Sequence, residues 1–216
     1  MTSRLQRRFR PVLLGLALAC GPAPTQGPAQ ASPQPRSTEG VVVAGAVARG
    51  LAHPWGLAFL PDGRMLVTER PGRLRVVAAN GALSAPLAGV PAVYARGQGG
   101  LLDVAVDPDF ARTRLVWLTF AEPDESGELA GTALARGRLV GEGSAMRLDS
   151  VRVVYRQQPK LRGGGHYGSR IVFARDGRIF VAQGDRMNWR ELAQDLTKGM
   201  GKIVRSAPAG GGPGAK

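Results

Sequence analysis

The sequence is poor in cysteine, aromatic residues and histidine, and it has no long apolar run. Cys20 is the only cysteine among 216 residues, so an intramolecular disulfide is excluded. No segment approaches the roughly 18 consecutive apolar residues that suggest a transmembrane helix. Aromatic residues make up only 6% of the chain and histidine occurs twice. Stability must therefore come mainly from burying aliphatic side chains and from hydrogen bonding.

Basic residues outnumber acidic ones, and the formal net charge is +13. Four of the arginines fall within the first ten residues. The others are scattered singly, without a basic run and without interleaved aromatic residues. Scattered arginines are typical of a solvated surface, so we do not expect the protein to bind nucleic acid.

Residues 1–31 have the pattern of a signal peptide. The early arginines are followed by a short apolar core, VLLGLALA, at Val12–Ala19. Two ways of processing remain open. Ala29-Gln30-Ala31 fits a signal peptidase site, whereas the segment before Cys20 resembles a lipobox and would give a lipid anchor at that cysteine. Either alternative predicts export to the periplasm or to the medium.

One local pattern recurs after a proline-rich linker at residues 32–40. Each copy combines a short apolar strand, an aspartate-containing turn and a second β-rich strand. The copies begin at Trp55, Gly100 and Ser169. Asp62-Gly63 and Asp176-Gly177 predict tight hairpins, because glycine readily adopts the positive φ that such turns require.

The spacing of the copies favours an all-β, propeller-like fold. The turn residues Asp62, Asp107 and Asp176 are 45 and 69 residues apart, and one propeller blade takes about 40–50 residues. Residues 41–205 therefore predict about three blades, followed by a low-complexity tail at 206–216. A β-sandwich is the alternative. Further strands are predicted at residues 74–77, 132–139 and 151–155, and a short helical turn or loop at residues 189–200.

Four segments resemble the soluble quinoprotein dehydrogenases, namely the aldose sugar and soluble glucose dehydrogenases that depend on pyrroloquinoline quinone (PQQ). The segments are HPWGLAFLPDGRMLVTERPGRLRVV, GQGGLLDVAVDPDF, GGGHYGSRIVFARDGRIFVAQGDR and AQDLTKGMGKIVR, in that order between about Val47 and Arg205. The resemblance implies a six-bladed β-propeller that binds PQQ and calcium. It also implies an aldose substrate and an external electron acceptor.

The resemblance assigns three site residues. His166 matches the general base that takes the proton from the sugar C1 hydroxyl beside the cofactor, and imidazole side chains suit this role near neutral pH. Asp185 matches the carboxylate that orients this histidine. Gln98, in Gly97–Gly100, matches a glutamine that hydrogen-bonds the sugar or the quinone edge. The glycines before His166 are interpreted as clearance for a flat cofactor.

Other polar and aromatic candidates are predicted to be structural. His53 is assigned no chemistry, and Trp55 and Trp117 are expected to pack between blades. Asp103, Asp107 and Asp109 are close in sequence but lack the glycine and final glutamate of a calcium loop. They are therefore interpreted as turn residues.

The resemblance also predicts an incomplete site. It places the calcium ligands, and much of what holds the cofactor, in a second half of the propeller that this sequence does not contain. We therefore expect no metal ligand in this chain, and we expect the apparently truncated chain to be weakly active or inactive. The alternatives are a non-catalytic exported propeller that binds a partner and, less favoured for want of ligand carboxylates, a propeller lactonase.

Overall fold

The computed structural model describes residues 44–207, and this part of the chain consists almost entirely of β-strands. The predicted leader, Cys20, the linker and the tail beyond residue 207 lie outside the described residues. No helix within residues 44–207 is long and apolar enough to cross a membrane.

The described strands form three antiparallel sheets that follow one another along the chain. Sheet 1 contains β1 (Pro54–Phe59), β2 (Met65–Glu69) and β3 (Arg73–Val77). Sheet 2 contains β4 (Leu101–Val106), β5 (Leu115–Pro123), β6 (Ala130–Val140) and β7 (Arg147–Arg156). Sheet 3 contains β8 (Gly168–Phe173), β9 (Ile179–Gln183) and β10 (Ile203–Ser206). The helical elements are α1 (Phe110–Thr113) and two 3₁₀ turns, Gly143–Ala145 and Arg190–Gln194.

This arrangement confirms the predicted propeller architecture. Each sheet corresponds to one copy of the repeated pattern, and a sandwich would instead distribute the strands over two facing sheets. The predicted strands at 74–77, 132–139 and 151–155 lie within β3, β6 and β7. Sheet 3 extends one residue beyond the predicted domain boundary, because Ser206 still pairs with Ile179.

The two Asp-Gly hairpins form as predicted. Gly63 and Gly177 have φ of +84° and +78°, in the left-handed region. The aspartate before each glycine accepts a hydrogen bond from the backbone N–H two residues later, at 3.1 Å for Asp62 and 3.0 Å for Asp176. The turn and its side-chain bond are both local, and sequence alone is therefore enough to predict them.

The core lies between neighbouring sheets. Aliphatic side chains of sheets 1 and 2 form the larger cluster, which includes Leu66, Leu74, Leu101 and Leu118. A second cluster joins sheets 2 and 3 around Trp117, Ile171, Ile179 and Val181. The Trp117 ring meets Phe173 edge-on with centroids 6.1 Å apart. This confirms Trp117 as a packing residue between sheets.

Two buried threonines connect neighbouring sheets, one between sheets 1 and 2 and one between sheets 2 and 3. Thr68 in β2 accepts a hydrogen bond from Gly56 N–H at 2.8 Å and donates one to the Leu102 carbonyl of sheet 2. Thr119 in β5 accepts from Asp103 N–H at 3.0 Å and donates to the Ser169 carbonyl of sheet 3 at 2.8 Å. We refer to Thr68 and Thr119 as the bridging threonines.

The prediction that the three neighbouring aspartates are turn residues is right for Asp107 and Asp109 and wrong for Asp103. Asp107 and Asp109 bond within the β4–β5 connection and to its short helix. Asp103 lies inside β4 and is only 1% exposed. Its two oxygens accept hydrogen bonds from Arg170 at 2.9 Å and from the Ile171 N–H at 2.8 Å. It therefore joins sheet 2 to sheet 3.

Candidate active site

The β8–β9 hairpin brings His166 and Asp185 together, as their sequence separation predicts. His166 precedes β8 and Asp185 follows β9, so both lie at the same end of sheet 3. The chain stays paired beyond the strands, with Gly184 N–H donating to the Tyr167 carbonyl at 3.1 Å. His166 Nδ1 lies 2.7 Å from Asp185 Oδ1.

The electrostatics of this pair determine which ring nitrogen is free to react. Hydrogen bonds from the Met187 N–H and from His166 lower the pKa of Asp185 below its ordinary value. The carboxylate is therefore ionised at neutral pH and can only accept a hydrogen bond, so the imidazole Nδ1 carries the proton. In the neutral form of the ring, Nε2 then carries the lone pair. The side chains are 45% and 35% exposed, which leaves room for a ligand.

Gln98 lies at the site, in contact with the backbone of the candidate base. The side-chain Oε1 of Gln98 accepts a hydrogen bond from the backbone N–H of His166 at 2.8 Å. The backbone N–H of Gln98 donates to the Gly164 carbonyl at 2.7 Å. His166 has φ of +50°, which is unusual for a residue with a side chain. Gln98 therefore helps to hold the backbone of His166 in this conformation.

Three glycines around His166 permit close contacts between loops, while the interpretation of the three-glycine run before His166 as clearance for a flat cofactor stays a prediction. A Cβ at Gly164 would lie 2.9 Å from the Arg96 carbonyl oxygen, and one at Gly97 would lie 2.8 Å from the Gly164 oxygen. Gly184 is equally restricted, because a side chain there would overlap the His166 carbonyl. Glycine is required at these three positions because a Cβ would overlap backbone atoms of the neighbouring segment.

His166 and Gln98 line a cavity of about 450 Å³. The other lining residues are His53, Pro54, Trp55, Arg70, Leu102, Tyr167 and Gly168. His53 and Trp55, which sequence analysis assigned to structure and packing, both lie on the wall. Trp55 is partly exposed, and the Arg170 guanidinium lies 5.6 Å from its ring centroid. Within the described part of the chain the lining contains hydrogen-bond donors but no carboxylate, and the cavity therefore suits an anionic or hydroxyl-rich ligand.

Sequence analysis missed Arg70 and Arg186. The Arg70 N–H donates to the His53 carbonyl at 3.1 Å, and its guanidinium donates to the Gly97 carbonyl, so it connects two segments of the cavity wall. Arg186 is buried directly behind His166. Both arginines act on backbone carbonyls that are distant in sequence, and nothing in a local motif reveals such contacts.

The family model for glucose/sorbosone dehydrogenases matches residues 51–215. The chain belongs to the glucose/sorbosone dehydrogenase family. Among curated proteins, the aldose sugar dehydrogenase YliI of Escherichia coli strain K12 is 51% identical over 161 residues, which cover 74% of this chain and 42% of that protein.

Solved structures agree with this assignment. A glucose dehydrogenase is 52% identical with a TM-score of 0.70, covering 74% of this chain and 49% of its own. The PQQ-bound aldose sugar dehydrogenase of Streptomyces coelicolor is 31% identical with a TM-score of 0.65, covering 78% and 48% respectively. The chain thus spans about half the length of these glucose/sorbosone dehydrogenase relatives, or less.

Proposed function

We propose that this chain provides the proton-accepting side of a site that oxidises the C1 hydroxyl of aldose sugars to lactones with PQQ. The observation that carries the proposal is the pairing of Asp185 with His166, which lines a cavity that also presents Gln98 and Arg70. A histidine fixed by a carboxylate is a standard general base.

His166 and Asp185 have different roles in the proposed reaction. Asp185 accepts a hydrogen bond from the Nδ1–H of His166 and so keeps Nε2 free to take the proton of the C1 hydroxyl. As that O–H bond breaks, the C1–O bond gains carbonyl character and C1 loses a hydride. When bound, PQQ would supply the two-electron acceptor for that hydride. The ionised Asp185 then stabilises the imidazolium until the proton leaves to solvent.

The described residues fit part of a PQQ site and do not fit a calcium site. Arg70, Gln98 and His53 offer donors suited to the carboxylates of the quinone and to sugar hydroxyls. Across residues 44–207, no group of three or more histidine, cysteine or acidic side chains could hold a metal ion. No step of the proposed reaction is therefore assigned to calcium.

We further propose only weak activity for the 216-residue chain alone, because hydride transfer needs both reactants held in near-attack geometry. We propose export on the strength of residues 1–31, and an external electron acceptor outside the cytoplasm. A non-catalytic propeller that binds a ligand in the same cavity is the competing function. The following experiment separates the two.

The test combines PQQ binding with sugar oxidation. Quenching of tryptophan fluorescence, with Trp55 on the wall, measures PQQ binding with and without calcium. Reduction of an artificial electron acceptor by glucose and other aldoses measures turnover. We expect PQQ binding with slow turnover, and turnover should vanish in His166→Asn but persist in the exposed control Glu191→Gln.

Three results decide against parts of this proposal. Absence of PQQ binding contradicts it entirely. Binding without turnover favours the non-catalytic propeller. Equal turnover in the wild-type chain and His166→Asn removes the assignment of His166 as the base.

A further inference from the structure

Behind the site lies a buried arginine whose partners are backbone carbonyls. Arg186 is 2% exposed. Its guanidinium donates to the carbonyl oxygens of Gly163 at 2.5 Å, Gly165 at 3.1 Å and Ala130 at 2.6 Å. A single side chain therefore joins β6 to both ends of the three-glycine run that precedes His166.

The aromatic ring next to His166 completes this arrangement. The Arg186 guanidinium lies 4.0 Å from the Tyr167 ring centroid, and one of its nitrogens donates to the Tyr167 hydroxyl at 3.0 Å. Burial lowers the pKa of Arg186, yet guanidinium groups remain protonated in proteins. Burying a charge costs free energy unless several hydrogen bonds satisfy it, and this guanidinium has them.

These contacts hold the residues that precede and follow His166 in the chain. Gly165 and Tyr167 are its immediate neighbours, and both contact the guanidinium. The Arg186 backbone N–H also donates to the His166 carbonyl at 3.2 Å. Meanwhile the His166 N–H is bound by Gln98. The left-handed φ of His166 is therefore held through its own two peptide groups and through both neighbouring residues.

We propose that Arg186 is a positioning residue for His166, which fixes the loop 163–167 so that the imidazole meets Asp185 through Nδ1 and turns Nε2 to the cavity. The catalytic meaning of this role rests on the proposed function. The positioning itself does not, because it concerns the geometry of the free protein.

Substitution by methionine removes the guanidinium and leaves most of its acceptors bonded. The Gly163 carbonyl also accepts from the Tyr167 hydroxyl at 3.2 Å, and the Ala130 carbonyl accepts from Leu161 N–H at 2.9 Å. Only the Gly165 carbonyl loses the one donor described for it. We therefore expect Arg186→Met to fold with reduced stability, and Arg186→Lys, which keeps the charge and some donors, to be affected less.

The readout is the tautomer of His166, measured by ¹⁵N NMR of the imidazole ring in the full 216-residue chain. With only two histidines, the spectrum is simple, and His166→Asn assigns it. The matched control is Arg190→Met, at the start of the second 3₁₀ turn, where the arginine is 76% exposed and pairs with Glu191. Circular dichroism and thermal unfolding report the fold of each variant.

We expect the wild-type chain and Arg190→Met to show distinct Nδ1–H and bare Nε2 resonances for His166. In Arg186→Met these resonances should collapse toward the average of a mobile imidazole, with a partial effect in Arg186→Lys. Lower thermal stability with unchanged His166 resonances would mean a purely structural role and would overturn the proposal. If Arg186→Met does not fold, the same criterion is applied to Arg186→Lys.

Activity provides a separate comparison. Where wild-type turnover is measurable, Arg186→Met should lower kcat by about 10²-fold while KM changes little, as expected for a misplaced catalytic group. A locked His166 tautomer in a wild-type chain that neither binds PQQ nor oxidises sugar would contradict the proposed function alone. Unchanged His166 resonances in the Arg186 variants would contradict the positioning role alone.

Discussion

At the scale of single residues, the chemistry depends on which atom of His166 carries a proton. Asp185 decides this because it is an ionised acceptor 2.7 Å from Nδ1. The carboxylate also accepts a hydrogen bond from the Met187 N–H at 2.9 Å through the same oxygen. Because one oxygen accepts from both donors, an amide that keeps this oxygen in place would preserve the Nδ1–H tautomer, whereas alanine would remove the acceptor.

This reasoning predicts a tautomer change in Asp185→Ala. Without an acceptor at Nδ1 the proton is no longer held there, and its movement to Nε2 removes the free base. Ring ¹⁵N NMR should show the proton moved from Nδ1 to Nε2, and any measurable kcat should fall by about 10²–10⁴-fold, the usual contribution of a general base. Retention of the Nδ1–H tautomer in this variant would contradict the role given to Asp185.

Asp103 gives a second residue-scale prediction, which concerns stability. Burial raises the pKa of this carboxyl above its unfolded value, against the opposing effects of the Ile171 N–H and Arg170. The folded state therefore holds the proton more tightly. The carboxyl favours folding most below its ordinary pKa of 3.8, and this contribution is lost as pH rises through the raised value.

The measurement compares wild-type chain with Asp103→Asn, which does not titrate. The free energy of unfolding of the wild type, relative to the variant, should fall as pH rises from about the ordinary carboxyl pKa to the raised one, and should then level off. Urea unfolding at several pH values provides these differences. A relative stability that rises across that range would mean that the Arg170 pairing outweighs burial.

At the scale of secondary-structure elements, the sequence predicts those features that depend on residues close together in the chain. The hairpins at Asp62-Gly63 and Asp176-Gly177 are local, and so were predicted correctly. The His166–Asp185 pair can also be predicted from the sequence, because a single hairpin joins the two residues. Asp103 was misassigned because its partners are 67 and 68 residues away. Arg186 was missed for the same reason, since Ala130 is 56 residues from it.

The bridging threonines carry a prediction at this scale. Thr68→Val and Thr119→Val keep the side-chain shape but remove the hydroxyl, so a buried N–H and a buried carbonyl lose a partner at each site. Each substitution should lower the free energy of unfolding by about 1–3 kcal/mol. Thr197→Val is the matched control, since Thr197 is exposed and bonds only within its own loop to Asp195.

Chemical denaturation measures all three valine variants, and hydrogen exchange locates the effect. Exchange should accelerate in the strands that each threonine connects, β1 and β4 for Thr68 and β4 and β8 for Thr119. Equal stability of Thr119→Val and Thr197→Val would show that the hydroxyl contributes nothing to holding sheets 2 and 3 together.

At the scale of the whole described molecule, the first strands of the three sheets differ in what they expose. β4 packs against both β1 and β8, and its residues are buried except for the last two, which are half-buried. By contrast, Leu57 and Phe59 of β1 are 49% and 67% exposed, and Val172 of β8 is 52% exposed. Leu57 and Phe59 lie on one face of β1 because side chains alternate along a strand, and such exposed apolar surface favours association.

We therefore predict that Phe59→Ser lowers both the binding of a hydrophobic fluorescent dye and concentration-dependent association of the chain. Its stability should change by no more than about 0.5 kcal/mol, because the ring is mostly in solvent. Leu196→Ser is the control, since Leu196 is 90% exposed but lies in the loop after the second 3₁₀ turn. Light scattering and dye titration compare the two variants. An equal loss of dye binding in both would mean that exposure of single apolar residues, rather than the pairing of Leu57 and Phe59 on one face of β1, governs association.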